Sequence, residues 1–425
     1  MNKYKLFFST ICLTSILACQ TNKPNEYAWI KNALDVSSTQ LQIMGNRLKD
    51  CGMYPRSIHQ HCDTMFISKQ LERDVSVFID SLESTSTPEQ YGKILLCPPT
   101  DWTSGFFPGS LWYAYELTDK KSLKDLAIHY TNGLDTVRYI KNTHDIGFII
   151  NCSYGNGYRI THEDTIKNII IESANNLCTR FNDTIGCIRS WDFGEWNYPV
   201  IIDNMMNLEL LFNAYNITSN VNYKNVAYKH AMTTLKNHFR NDYTCYHIVS
   251  YNNDGSIEYK RTHQGKHDES AWARGQAWAV YGYTVCYRET KDSTFLNQAV
   301  NVADMIMKRV KTNDIIPLWD YDAINDKDTP RDASAAAVTA SAFIDLSILS
   351  NNNKYFEYAE KILKSLSSDK YLAKVGENQN FILMHSTGSI PNGFEIDAPL
   401  NYADYYFLEG LQKYMKVKNI QYSDL

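Results

Sequence analysis

The feature that most constrains this chain is a repeat of paired segments. One member of each pair is rich in small and aromatic residues nearly all round, and the other is apolar only at i, i+3, i+4 and i+7. Segment 105–117 precedes Leu123, Leu126, Ala127, Tyr130 and Leu134, and segment 147–161 precedes Ile166, Ile170, Ala174 and Leu177. Segment 204–218 precedes Ala227, Ala231 and Leu235; segment 275–290 precedes Phe295, Ala299, Val302, Ala303 and Ile306. Segment 335–350 precedes Tyr355, Ala359, Ile362 and Leu363, and segment 404–415 stands last. A helix apolar all round must be enclosed, whereas an amphipathic one covers it from outside. With stretches 27–48 and 66–82 as partners for the ends, the pattern predicts six pairs: an all-α (α/α)6 barrel occupying residues 27–425. An open superhelix has a similar repeat, but it needs capping ends and has no closed centre.

One interruption reads as strands. β-rich residues 244–251 and 256–259 flank the turn signal Asn252-Asn253-Asp254-Gly255, which predicts a short hairpin at the barrel rim. The polar segments fall between each outer helix and the next inner one, so a barrel gathers them at one mouth, where a site is expected. They are Asp101-Trp102-Thr103, 142–147, Asp203-Asn204, 264–276 and 331–334.

The first 18 residues place Lys3 and Lys5 before an apolar run from Leu6 to Ala18, the pattern of a secretory signal and too short to span a bilayer as a helix. The run ends Ile16-Leu17-Ala18-Cys19, which resembles a bacterial lipobox. The expectation is an exported lipoprotein, periplasmic or at the cell surface, with Cys19 lipidated and residues 19–26 as a tether. The membrane then enters only through that anchor. Beyond the leader, 40 Lys+Arg face 47 Asp+Glu, a net charge of about −7, so bulk charge gives no reason to expect nucleic acid. The remaining cysteines (51, 62, 97, 152, 178, 187, 245 and 286) contain no C-x-x-C, which argues against zinc; Cys51 and Cys62 could pair.

Two carboxylates stand at the starts of inner segments, Asp145 and Asp203. Asp203 follows Trp191, Asp192, Glu195, Trp196 and Tyr198 and opens an apolar run. A carboxyl removed from water has a raised pKa, which suits a proton donor, and paired carboxylates are the usual equipment for acid and base work on sugars. The bland reading of both residues is helix capping. Arg274 could anchor a substrate carboxylate or simply pair with Asp268 or Glu269. His144 and His247 could orient a donor or a sugar hydroxyl. The acidic loop 320–328 lacks EF-hand spacing and reads as solvated. No H-E-x-x-H, G-x-S-x-G or phosphate-binding loop occurs, and no metal or cofactor is expected.

Several motifs in order resemble the unsaturated glucuronyl hydrolases, glycoside hydrolase family 88. They are Trp102-Thr-Ser-Gly-Phe-Phe-Pro-Gly, Asn142-Thr-His-Asp-Ile-Gly-Phe, Ile202-Asp-Asn-Met-Met-Asn, Tyr246-His-Ile-Val, Trp272-Ala-Arg-Gly-Gln-Ala-Trp, Pro317-Leu-Trp-Asp-Tyr-Asp, Arg331-Asp-Ala-Ser-Ala and Asp404-Tyr-Tyr-Phe-Leu-Glu. The resemblance covers about residues 27 to 415. It implies a hydrolase that removes the Δ4,5-unsaturated uronic acid from lyase-generated oligosaccharides, with glycosaminoglycan disaccharides as the expected substrates. It also implies Asp203 as general acid and base, with Asp145 holding sugar hydroxyls. By the same resemblance His247, Gln264, Trp272 and Arg274 bind the uronate and Trp102 supplies a stacking face; Ser270 and His144 join the substrate-binding set. The region that recognises the next sugar corresponds to His385-Ser386 through Gly393, which has no Lys or Arg. Family 105, the unsaturated rhamnogalacturonyl hydrolases, is the nearest alternative. A glycan-binding surface lipoprotein without catalysis and a barrel hydrolase of saturated glycosides are the others.

Overall fold

The computed structural model describes residues 26–60, 63–75 and 93–425. Its helices are α1 (Ala28–Leu48), α2 (Thr64–Leu71), α3 (Phe106–Thr118), α4 (Lys121–Asn132), α5 (Ile146–Ile150), α6 (Asn156–Thr161) and α7 (Asp164–Cys178). They continue as α8 (Asn204–Thr218), α9 (Val221–His238), α10 (Ala273–Thr290), α11 (Ser293–Arg309), α12 (Ala333–Leu349), α13 (Asn353–Leu366) and α14 (Asn401–Lys418). A π-helical turn, Asn151–Gly155, joins α5 to α6, so the two form one interrupted inner helix.

The inner ring runs α3, α5/α6, α8, α10, α12, α14 and back to α3, each touching the next. The architecture is the expected (α/α)6 barrel. α4, α7, α9, α11 and α13 lie outside, and α1 is the outer member of the sixth pair: it packs on α3 and α4, and Trp29 meets Tyr414 of α14 edge-on at 5.5 Å. The described part of the stretch 66–82 therefore does not serve as an outer helix. In its described part the helix α2 is stopped by the left-handed backbone of Glu72 (φ 55°), and residues 76–82 lie outside the described residues. Lys69 pairs with Asp326 and Glu72 with Lys266, which places α2 against the loops of the mouth. The leader, Cys19 and Cys62 also lie outside the described residues.

The two ends of the barrel differ because their connections differ. Inner-to-outer turns are tight, with a left-handed residue at Asp119, His162, Ser219, Lys291 and Asn351. Three of these turns continue into a side-chain cap, where Asn220, Asp292 and Asn352 accept the N–H groups of Asn222, Thr294 and Lys354. Outer-to-inner connections are long and carry the strands. β1 (Tyr54–Ile58) pairs with β2 (Ile94–Cys97), and β3 (Phe181–Asn182) with β4 (Cys187–Ile188). β5 (Pro199–Ile201), β6 (Ile248–Tyr251) and β7 (Ile257–Arg261) form an antiparallel sheet. The expected hairpin is β6 and β7; the third strand, directly before Asp203, is three residues long and leaves no alternation to read. All inner helix N-termini therefore open onto the mouth with long loops.

Aromatic rings fill the barrel centre. Phe106 meets Phe148, Tyr402, Tyr405 and Tyr406 at 5.4–6.0 Å, and Trp278 meets Phe148 and Tyr406. Deeper, the buried Glu409 carboxylate accepts hydrogen bonds from Tyr113, Tyr281 and Ser341, which satisfies a charge that burial alone would make costly. The ring closes tightly where side chains vanish. A Cβ on Gly105 would stand 2.3 Å from the Ile149 carbonyl oxygen, and one on Gly282 2.5 Å from Met205 Cβ. Gly105→Ala is expected to cost about 1–3 kcal/mol by overpacking against α5 backbone, read as a lowered urea midpoint.

Candidate active site

Asp203 follows β5 and opens α8. It occupies the N-cap position, but its side chain caps nothing, so the capping reading is set aside on geometry. The residue is 7% exposed, and its Oδ2 has no hydrogen-bond partner. Burial pushes its pKa up to about 7; the charge of Asp145 adds to the shift, and the Arg274 guanidinium opposes it. The indole N–H of Trp278 lies near enough to favour the anion but makes no hydrogen bond of ordinary geometry.

His247 sits beside it, from the loop entering β6. Its Nδ1 accepts the backbone N–H groups of His263 (3.0 Å) and Gln264 (3.2 Å), so the ring proton belongs on Nε2. That Nε2 lies 3.6 Å from Asp203 Oδ2, just beyond hydrogen-bond reach. Burial, reinforced by neighbouring His and Arg charges, holds His247 neutral. Asp145 repeats the arrangement at the start of α5. Asn207 Oδ1 accepts the Phe148 N–H (2.7 Å), so its amide donates to His144 Nδ1 (3.3 Å) and leaves His144 Nε2 protonated, 3.3 Å from Asp145 Oδ1. Thr143 Oγ1 donates to the other Asp145 oxygen at 2.7 Å. Both histidines thus face carboxylates rather than open space. Burial also lowers the pKa of His144, against the pull of Asp145.

Arg274, in the first turn of α10, is 1% exposed and pairs with neither Asp268 nor Glu269. Its Nη1 donates to Asp332 Oδ2 (2.9 Å) and the Thr387 carbonyl (2.5 Å), and its Nη2 to the Gly388 carbonyl (2.6 Å). Asp332 is held in turn by the backbone of Ser334 and Ala335 as it caps α12. The guanidinium lies 4.5 Å from the Trp272 ring and 5.3 Å from that of Tyr402. Trp272 also packs on His247 at 4.7 Å, and Trp102 meets Tyr402 at 5.0 Å and Phe148 at 5.6 Å. Asp203, Asp145, His247, His144, Trp272, Arg274 and Trp102 therefore form one connected group.

The other expected positions stand beside this group. Ser270 is buried and donates to Asp320 Oδ2 (2.7 Å), which also accepts the Lys266 N–H (2.9 Å). Asp320 is therefore not part of a solvated loop; it is fully buried and shapes segment 262–270, while Asp326 and Asp328 remain outside. Gln264 is half-buried, and its backbone rather than its side chain meets His247. His385 pairs with Asp397 (2.7 Å), and Ser386 is buried with its hydroxyl unpartnered. The aromatics before Asp203 lie to its side. Trp191 stacks on the exposed Phe193 at 4.8 Å and meets His263 at 5.8 Å, while Tyr198 donates to the Arg180 and Cys187 carbonyls.

Trp278, Tyr402, His263 and Asp332 were not singled out for the site. Trp278 lies within the expected inner segment 275–290 and Tyr402 just ahead of segment 404–415, and only the ring's closure brings them under the mouth. Asp332 stood in the polar segment 331–334 expected at the mouth without a role of its own; in the fold it caps α12, and its second oxygen on Arg274 joins α12 to α10 across the ring. Arg56 was also missed: it bridges Asp101 (2.7 Å) and Glu395 (2.7 Å) from β1, with no motif to mark it.

A family model described as glycosyl hydrolase family 88 matches residues 82–415, and one described as a domain of unknown function matches residues 1–73. The chain is 46% identical to an unsaturated glucuronyl hydrolase of Formosa agariphila over 77% of its own length and 82% of that protein. It is 29% identical to an unsaturated chondroitin disaccharide hydrolase of Streptococcus agalactiae, over 82% of this chain and 89% of that one. Among solved structures, an unsaturated glucuronyl hydrolase specific for heparin superimposes with a TM-score of 0.83 at 46% identity, covering 93% of this chain and 99% of that one. With its toroid, its buried carboxyl and these matches, the chain belongs to glycoside hydrolase family 88.

Proposed function

We propose that this enzyme removes the Δ4,5-unsaturated uronic acid from the non-reducing end of glycosaminoglycan disaccharides, with Asp203 as proton donor and acceptor. The observation that carries the reading is the Asp203 carboxyl, buried, unpartnered at Oδ2 and protonated up to about pH 7. The substrate's C4=C5 bond is a vinyl ether. Asp203 adds its proton to C4, and the positive charge at C5 is shared with the ring oxygen. Water then adds to C5 and returns a proton to the Asp203 carboxylate. The resulting hemiketal opens to a C5 ketone, leaving C1 as a hemiacetal that expels the neighbouring sugar.

The surroundings fit the charge changes. Neutral His247 directs Nε2–H toward Asp203 and can steady the carboxylate formed after proton transfer, without itself giving up a proton. Asp145, fixed by Thr143 and faced by His144, has acceptor oxygens for sugar hydroxyls. Arg274 and the converging inner helix N-termini favour an anionic sugar at the mouth. Trp102 and Trp272 supply the flat faces on which a ring can rest. The 46% identity to relatives named for glucuronyl and heparin substrates favours glycosaminoglycan over rhamnogalacturonan fragments.

On a panel of unsaturated heparin, chondroitin, hyaluronan and pectin disaccharides, decay of the double-bond absorbance is expected to be fastest with the heparin type; turnover of saturated glycosides instead would refute the reading. Asp203→Asn should lower kcat by about 10²–10⁴-fold. Because the protonated acid reacts, kcat/KM should be level below pH 7 and fall tenfold per unit above it. The same shift has a stability consequence. A carboxyl ionising near 4 when unfolded and near 7 when folded has its stability contribution intact below pH 4 and loses it as pH rises through 7, by roughly 4 kcal/mol. Asp203→Asn is therefore expected to melt higher than the parent at pH 8, with the gap shrinking toward pH 4.

Export with lipid on Cys19 is part of the proposal and rests on the sequence of the leader. Among the described residues no helix is long and apolar enough to cross a membrane. Cells expressing the full chain should incorporate labelled palmitate into it, and Cys19→Ala should abolish the label.

A further inference from the structure

One wall of the mouth is held by a piece of chain that the family 88 model does not match. β1 and Gln60 precede residue 82, where that match begins, yet they make a column of contacts with segment 395–401. Arg56 Nε donates to Glu395 Oε1 (2.7 Å), and the Gln60 side chain meets both backbone groups of Ile396 (2.6 and 2.9 Å). The Ser57 hydroxyl donates to the Pro399 carbonyl (2.7 Å), and the Asn401 amide to the Pro55 carbonyl (2.8 Å).

Segment 395–401 begins as the return arm of a hairpin-like loop, in which Ser386 pairs with Ala398 and Ser389 with Phe394. His385, Glu395 and Asp397 have left-handed φ angles of 64°, 53° and 51°, a backbone that persists only where its surroundings hold it. The outgoing arm faces the site. Arg274 fastens the Thr387 and Gly388 carbonyls, and the Asn392 amide lies 3.4 Å from His263 Nε2, on the residue whose N–H fixes His247. Arg274 therefore grips one arm and Arg56 the other. The two carboxylates on Arg56 depend on it unequally. Asp101 also accepts the N–H and the hydroxyl of Thr103, whereas the Glu395 carboxylate, on a residue 3% exposed, has only Arg56 as a donor among the described residues. Without Arg56 a buried charge would stand unpaired at the bend, which favours an arm swung out to water.

We propose that Arg56 is a positioning residue: by holding Glu395 it keeps loop 386–398 against the mouth and so sets the affinity for the sugar beyond the unsaturated uronic acid. The inference rests on the function proposed above. Aromatic rings close the barrel floor, so the rest of a bound oligosaccharide leaves through the mouth, past this loop. Proton transfer at Asp203 does not use Arg56, and its rate is kept once substrate is seated.

Arg56→Met removes the charge and keeps an apolar stem. Glu395→Gln leaves the Arg56 pair with Asp101 in place and decides the matter where the first variant fails to fold. Rates are followed with an unsaturated heparin disaccharide and with the methyl glycoside of the same unsaturated uronic acid, which has no second ring. Arg56→Met is expected to raise KM for the disaccharide roughly 10- to 100-fold, the scale of a misplaced binding wall, with kcat nearly kept and the methyl glycoside hardly affected. Glu395→Gln should act in the same direction by a smaller factor, and Arg56→Lys, able to reach one carboxylate, should recover part of the loss. Hydrogen exchange should quicken at 386–398 and stay slow at 101–104. Equal losses on the two substrates, a fall in kcat alone, an unaltered KM for the disaccharide or unaltered exchange would overturn the proposal. Failure of the function itself shows in the parent protein, which would leave the absorbance of both substrates unchanged while exchange at 386–398 still reports on Arg56.

Discussion

The Asp203 carboxyl has lost its water and received little in exchange. Oδ2 is unpartnered, the nearest imidazole nitrogen, His247 Nε2, is 3.6 Å away from it, and the strongest opposing charge, Arg274, is shared with Asp332. Desolvation therefore wins over attraction, and the group stays an acid near neutrality. A bidentate pairing with Arg274 would have held it as a carboxylate and left no proton to give. Arg274 instead donates its Nη1 to Asp332.

Such a site needs enclosure from every direction, and the toroid supplies it. Six inner helices exclude water laterally, and rings from α3, α5, α10 and α14 close the floor. At the end with the tight turns the inner helices leave a cavity of about 860 Å³ whose lining includes Glu209, Arg288, Asp345, Glu409 and Lys413. The long connections at the other end bring β5, β6 and segment 262–270 over the inner helix starts. The wall is also built from distant parts of the chain: α1 completes the outer ring although it precedes the stretch matching the family model, and Arg56 reaches across to Glu395.

The histidines show which of two tasks open to them in the sequence, orienting a donor or a sugar hydroxyl, the geometry supports. His144 and His247 stand in the motifs where substrate contacts were expected. In the fold each has Nδ1 occupied as an acceptor, one by Asn207 and the other by the backbone of His263 and Gln264, and each turns Nε2 to a carboxylate. Ser270, expected among the substrate contacts, donates its hydroxyl to Asp320. The tryptophans before Asp203, expected to dry it, pack beside it on the sheet and on His263, and the indole that reaches Asp203 is Trp278, from another helix.

The residue pattern by itself determined the inner and outer helices, the mouth where the polar clusters meet, and Asp145 and Asp203 as its carboxylates. These are local matters of periodicity and of position relative to helix starts, which a chain displays before it folds. The structure alone decided which stretch closes the ring, that Asp320 is buried, which donors Arg274 has left, and which aromatic rings lie beneath the mouth. Those depend on contacts between residues tens to hundreds of positions apart. Asp203 belongs to both: its place at a helix start is written in the sequence, and the proton it keeps is set by the enclosure.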